Sequence, residues 1–218
     1  MKFLDSPRSG SYQGLTSSRN RFGQYVRTRA TPVNPNSGAQ GTVRNRMALN
    51  AAAWRDLSDV QRAGWTSLGL AMSRTDSLGQ TYALTGFQAY CSVNNNNLAA
   101  GNAVVSAAPA LITPTGLLTA TITLTAAALS IAYTPTPLGT GIRLFSFASP
   151  QRSAGRNFEA DFRLIAVSAA AAASPANIFT AYSARLGTPV VGNRIFFSFQ
   201  LYEGGFTSGA MIISQLVA

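Results

Sequence analysis

Arg194-Ile195-Phe196-Phe197-Ser198-Phe199-Gln200-Leu201-Tyr202 lies between Gly192-Asn193 and Gly204-Gly205. Its apolar residues keep a period of two, which is the repeat of a strand with one face buried. Working outward from it, the same character recurs from about residue 103 to the end of the chain. The other runs are Leu117–Thr125, Leu129–Thr134, Ile142–Ala148, Asp161–Val167, Ile178–Ala184 and Ala210–Val217. Gly, Pro, Asn and Ser separate them, and no helical repeat interrupts them. Seven short strands at this spacing predict a β-sandwich over 117–218. Ser168–Ala176 is a low-complexity link holding five successive alanines, and 102–116 reads as a Pro- and Ala-rich connector.

Composition narrows the chemistry. The 218 residues contain no His, one Cys and seven Asp plus Glu, and charged residues make up only 11%. Without histidine there is no Ser–His–Asp or Cys–His nucleophile and no His-ligated metal. A lone Cys91 makes neither an intrachain disulfide nor a redox pair. Of the 17 cations Lys2 is the sole lysine, so an amine nucleophile would rest on the second residue. No catalytic residue, metal site or cofactor is expected, and the chain reads as structural or binding material. No run approaches the ~20 apolar residues of a membrane span. The start lacks the apolar core of a signal peptide, so synthesis in a host cytoplasm is expected.

Charge is segregated. Residues 1–46 carry Lys2, Arg8, Arg19, Arg21, Arg27, Arg29, Arg44 and Arg46 against Asp5 alone, which is seven of the ten net positive charges. Residues 1–41 therefore read as a basic extended arm, with Thr31–Gly38 as a Pro/Asn linker. In an extended chain Arg19, Arg21, Arg27 and Arg29 point to one side together with Tyr25, and Gly23 permits a turn between them. Such a row suits carboxylate or phosphate recognition, because guanidinium forks bind bidentately and stack.

Residues 42–101 read as a small three-helix region. Val43, Met47, Ala51 and Trp54 form a helical stripe over 42–56. Ser58-Asp59-Val60-Gln61 is a capping box that opens a second helix, with Val60, Gly64, Leu68 and Met72 inward and Trp65 packing on Trp54. Thr85-Gly86-Phe87-Gln88 repeats the signal, with Phe87, Tyr90, Cys91, Asn94 and Leu98 on one face. This third helix is expected to fail within Asn94–Asn97. Trp54, Trp65 and Phe87 are the expected packing residues.

Leu129-Ser130-Ile131-Ala132-Tyr133-Thr134-Pro135-Thr136-Pro137 resembles the second strand of a fibronectin type III domain, with Tyr133 where Trp is usual. Arg194–Tyr202 with Gly204–Gly209 resembles the penultimate strand and its loop in the same family. The resemblance covers about 115–218 and implies an immunoglobulin-like sandwich serving as an interaction or spacer module. Trp54-x-x-Leu57-Ser58-x-x-Gln61-Arg62-x-x-Trp65 resembles part of an HMG box over a dozen residues, but tryptophans packing two helices together is the better reading. Ser9 through Trp65 resembles uncharacterised phage and prophage structural proteins.

The overall expectation is a mainly β, non-enzymatic virion protein: a minor or cement-type capsid component of a tailed phage. Its arm would bind acidic subunit surfaces within a homo- or hetero-oligomeric assembly. Two alternatives stand beside it: the arm on nucleic-acid phosphates, and tail or surface adhesion through the sandwich loops, including Gly204–Gly209. Glu159 and Asp161 alternate onto one strand face, either as a weak cation site or as a solvated pair beside Arg156 and Arg163.

Overall fold

Turn chemistry shapes the N-terminal stretch. Gln13-Gly14 joins β1 (Gly10–Tyr12) to β2 (Leu15–Asn20), with Gln13 held at φ +48°. β2 pairs antiparallel with β3 (Gly23–Thr28), and Gly23 (φ +115°) takes a backbone conformation that a side chain would strain. The computed structural model describes residues 8–20, 23–34, 36–76 and 78–218. Within the expected extended arm, Gly10–Thr28 is thus a paired three-stranded sheet, 29–34 has no regular structure, and Gly38 already begins a helix. The chain divides into two compact units, 1–42 and 43–218.

Three helices begin with the same device. α1 (Gly38–Arg55) starts four residues before the expected Thr42, because Ser37 and Gln40 cap each other reciprocally. α2 (Asp59–Ala71) opens on the Ser58/Gln61 capping box. A hairpin of β4 (Ser73–Thr75) and β5 (Thr81–Ala83) follows, and α3 (Gly86–Ala99) opens on the Thr85/Gln88 box. Three expectations fail here. α3 runs on through Asn94–Asn97, and Val60, 83% exposed, and Gly64 face outward rather than inward. The inward arc of α2 is rotated onto Trp65, Leu68 and Gly69, since the Trp65 indole N–H donates to the Ser106 carbonyl at 2.8 Å.

The remaining strands are β6 (Thr119–Leu124), β7 (Leu129–Thr134), β8 (Arg143–Ala148), β9 (Arg163–Val167) and β10 (Ala176–Asn177). After α4 (Phe179–Leu186) come β11 (Arg194–Glu203), β12 (Phe206–Thr207) and β13 (Met211–Leu216). One sheet has the order β10-β7-β6; the other has β12-β11-β8-β9, with β13 also on β11. Strand (31%) exceeds helix (26%), so the chain is mainly β. Leu129, Ile131 and Tyr133 from the small sheet share one core with Leu144, Ile195, Phe197, Phe199 and Leu201 from the large one.

The strand expected at Ile178–Ala184 is instead α4. Ile178, Tyr182 and Leu186 recur every four residues and all pack on that core, while Asn177 Oδ1 accepts from Phe179 N–H at the helix start. Burial pushes the Tyr182 phenol up to about 12.

α2 and α3 approach closely through glycine. A Cβ on Gly69 would lie 2.5 Å from the Leu84 carbonyl oxygen, whereas one on Gly64 would meet only Ala108 Cβ, at 3.7 Å. Gly69→Ala is therefore expected to destabilise the fold by about 1–3 kcal/mol through overpacking. Gly64→Ala should stabilise it by roughly 0.5–1 kcal/mol through helix propensity. Urea denaturation of the two variants checks the opposite signs.

Candidate functional site

Two surfaces carry the polar and charged chemistry: the basic sheet of the N-terminal unit and an asparagine seam in the second unit.

In the basic sheet Arg19 pairs with Gln24 and Arg27 with Thr16. Directly opposed residues share a face, so Arg19 stands with Leu15, Ser17 and Val26, and Arg27 stands with Thr16 and Tyr25. The single arginine row is thereby corrected. Reversal of the chain between β2 and β3 changes the parity, putting Arg19 and Arg27 on opposite faces. Arg29 follows β3 and its N–H donates to the Gly14 carbonyl at 2.8 Å. Arg8 precedes β1 and is exposed; Arg21 lies outside the described residues, as does Lys2. Among the described residues of 8–42 none is buried. Arg44 and Arg46 lie in the first turns of α1, within the second unit.

The aromatic residues pack differently from expectation. Trp54 meets Phe87 and Tyr90 at ring-centroid distances of 5.6 and 5.3 Å, and Trp65 meets Tyr90 edge-on at 5.0 Å. Tyr90, rather than a direct tryptophan pair, joins the two helices. Its phenol is raised by burial and by neighbouring Cys91, and burial raises the Cys91 thiol too. A buried, protonated thiol is a core residue and a poor nucleophile.

The seam was not singled out as a site in the sequence. Each of four consecutive asparagines reaches a different part of the unit. Asn94 accepts from Val105 N–H at 2.8 Å and donates to Val105 O at 3.2 Å, copying a backbone pairing with the connector. Asn95 accepts from Asn50 Nδ2 of α1 at 2.9 Å. Asn96 Nδ2 donates to the Gly205 carbonyl at 2.8 Å. Asn97 Oδ1 accepts from the buried Tyr202 hydroxyl at 2.7 Å, and that hydroxyl accepts from Asn102 Nδ2 at 2.8 Å. Gly205 (φ +93°) lies so close to α3 that a Cβ there would overlap Val93 Cγ1. Gly205, Phe206 and Ser208 are buried, so half of the Gly204–Gly209 loop proposed for adhesion lies inside the unit. Only the run of four amides marked this seam in the sequence, and its length invited a reading as a helix end.

Glu159 is corrected as well. It precedes β9 in a loop, and its side chain is 3% exposed rather than solvated. One carboxylate oxygen accepts from Arg152 Nε, with Arg156 Nε at 3.5 Å. The other accepts from the Ala160 and Asp161 amides at 2.9 and 3.0 Å. Asp161 lies 3.2 Å from Arg163 and 3.9 Å from Arg152. The Arg152 hydrogen bond, then the backbone amides, hold the Glu159 carboxyl down to about 2. The arrangement ties the loop to β11, since Arg152 and Arg194 exchange backbone hydrogen bonds. Among the described residues no three His, Cys, Asp or Glu side chains gather as a metal site, and no helix is long and apolar enough to cross a membrane.

No family model, curated protein or solved structure matches the chain.

Two outcomes are expected. Tyr202→Phe removes the donor to Asn97 and the acceptor for Asn102, and should cost about 1–3 kcal/mol in chemical denaturation. For Glu159, a folded-state pKa of about 2 against an ordinary 4.5 makes its stabilisation complete above 4.5. That stabilisation is lost as pH falls from there through about 2. Melting temperatures measured across that window should fall more steeply for the wild type than for Glu159→Gln.

Proposed function

We propose that the chain is a non-enzymatic structural protein of a virion, a minor or cement-type capsid component of a tailed phage. Its basic N-terminal sheet docks on acidic surfaces of neighbouring subunits. The observation that carries this reading is a three-stranded sheet, rich in arginine, in which no described residue is buried. A sheet of this size ordinarily needs a packed hydrophobic face to be stable. A partner surface bearing carboxylates supplies the missing cover, and bidentate Arg–carboxylate pairing supplies orientation. The acidic partner is a different molecule, because this chain has only seven carboxylates. Three of them, Asp59, Glu159 and Asp161, already face arginines.

The second unit fits an inert body. Strand order supports its reading as a seven-stranded immunoglobulin/fibronectin III-like sandwich. β6, β7 and β10 form one layer, and β9, β8, β11 and β13 the other, with the two-residue β12 also on β11, over a shared core. The distribution of arginines over both faces of the N-terminal sheet favours a protein groove over a single phosphate track.

Replacing Arg19, Arg27 and Arg29 together by Ala should abolish recovery of the protein in purified particles, with its melting temperature unchanged. Retention of the triple variant in particles at wild-type copy number would overturn the docking role. Loss of duplex-DNA retention with particle association intact would assign the sheet to nucleic acid.

A further inference from the structure

The outer edge of β13 points to a second copy of this chain: we propose that two chains pair β13 to β13, antiparallel, about a twofold axis at Ser214. β13 runs in unbroken register along β11, from Arg194↔Leu216 to Phe199↔Met211. Its other side pairs with no described strand. Backbone polarity identifies the groups left open there. Val217 faces β11, accepting from Gly192 N–H at 3.0 Å and donating to Asn193 O at 2.9 Å. Ala218 faces the opposite way, donating to Leu124 O at 3.3 Å. Alternation then turns the N–H and C=O of Ile212, Ser214 and Leu216 to the open edge.

Native sheets usually blunt such an edge with charge, proline, a bulge or a very short strand. Met211-Ile212-Ile213-Ser214-Gln215-Leu216 has none of these. The far edge of the same sheet has two: β9 opens on Arg163, and its pairing with β8 shifts register. Ile212 is 58% exposed and Leu216 40%, and Ile212 shares a shallow groove with Phe158, itself 74% exposed.

Register follows from these groups. With Ser214 on the axis, Ile212 lies opposite the partner subunit's Leu216, and the reciprocal pair repeats on the other side. All three outward residues then exchange both hydrogen bonds with their opposites. Ala218, already bound to Leu124, limits the pairing at one end. The arrangement is isologous and closed, so it gives a dimer and not a fibre. Electrostatics permit it. The edge carries no charge, and the closest cation on the neighbouring strand is Arg194, tied to Ser214 Oγ at 3.1 Å and Ala154 O at 2.9 Å. Through Ser214 the two Arg194 guanidiniums converge toward the axis, where each is held by its hydrogen bonds and their repulsion is weakened by salt.

Sedimentation and light scattering of the 218-residue chain test this without any virion or partner. The expected result is a species of twice 22.9 kDa. Ile212→Lys should convert it to a monomer that still unfolds cooperatively, its melting temperature lowered only by the lost dimer linkage. Amides of Ile212, Ser214 and Leu216 should lose hydrogen-exchange protection in that variant. Ser214→Cys, in a chain whose other thiol is buried Cys91, should cross-link to a covalent dimer, while Thr121→Cys on β6 should not. If Ile212→Lys fails to fold, the Ser214→Cys cross-link decides. A monomer at every soluble concentration would overturn the proposal. So would a dimer that ignores Ile212→Lys and leaves Ser214→Cys uncross-linked.

Discussion

Hydrogen bonding by Asn94, Asn95, Asn96 and Asn97 is the constraint on which the second unit depends. Four amides in one helical turn project in different directions, and each finds a partner on a separate element: the connector, α1, the β11–β12 turn and β11 itself. Apolar packing alone would let α3 slide on the sheet, because Ala99 and Ala100 offer only small contacts to Phe145 and Tyr202. Directional bonds to buried groups fix its rotation and position, since each unmade bond would leave a buried polar atom unsatisfied. Gly205 then lets the backbone approach α3, and Phe206 enters the helical core beside Trp65.

The two units are held by different physics. In 43–218 burial of aliphatic and aromatic side chains dominates, and the buried carboxylate of Glu159 is engaged by arginine and backbone amides. In 8–42 no described residue is buried, and backbone pairing of three short strands carries the structure. That contrast is the physical basis for reading the basic sheet as a surface completed by a partner. It also explains why most of the chain's net charge sits apart from the hydrophobic core: charge clustered within the core would carry a desolvation penalty.

Much of the β-rich half was legible. Period-two alternation places β7 at Leu129–Thr134 as observed, and puts β11, β8 and β13 within a residue of their ends. Capping boxes place α2 and α3 through purely local bonds. The failures share a cause. Asn has low helix propensity, so Asn94–Asn97 reads as a terminus until distant partners satisfy the side chains. Ile178–Ala184 is a short apolar run that suits either period, and Tyr182 meeting the core every fourth residue chose helix. Val60 lies on a plausible stripe, yet Trp65 is larger and found both Tyr90 and the Ser106 carbonyl. The arginine row holds only for a fully extended chain, and the turn that Gly23 permits reverses its parity.

Residue types and their spacing by themselves determined what depends on near neighbours along the chain: strand alternation, helix caps, glycine turns, the clustering of cations and the absence of histidine chemistry. Tertiary structure decided what depends on groups distant in sequence. It chose helix over strand for α4, carried α3 through its asparagines, buried Glu159 between arginines and split the basic residues over two faces. Local bonds are written in spacing because their partners lie within a few residues. Burial and long-range hydrogen bonds have partners up to 109 residues away, and only the folded chain brings those together.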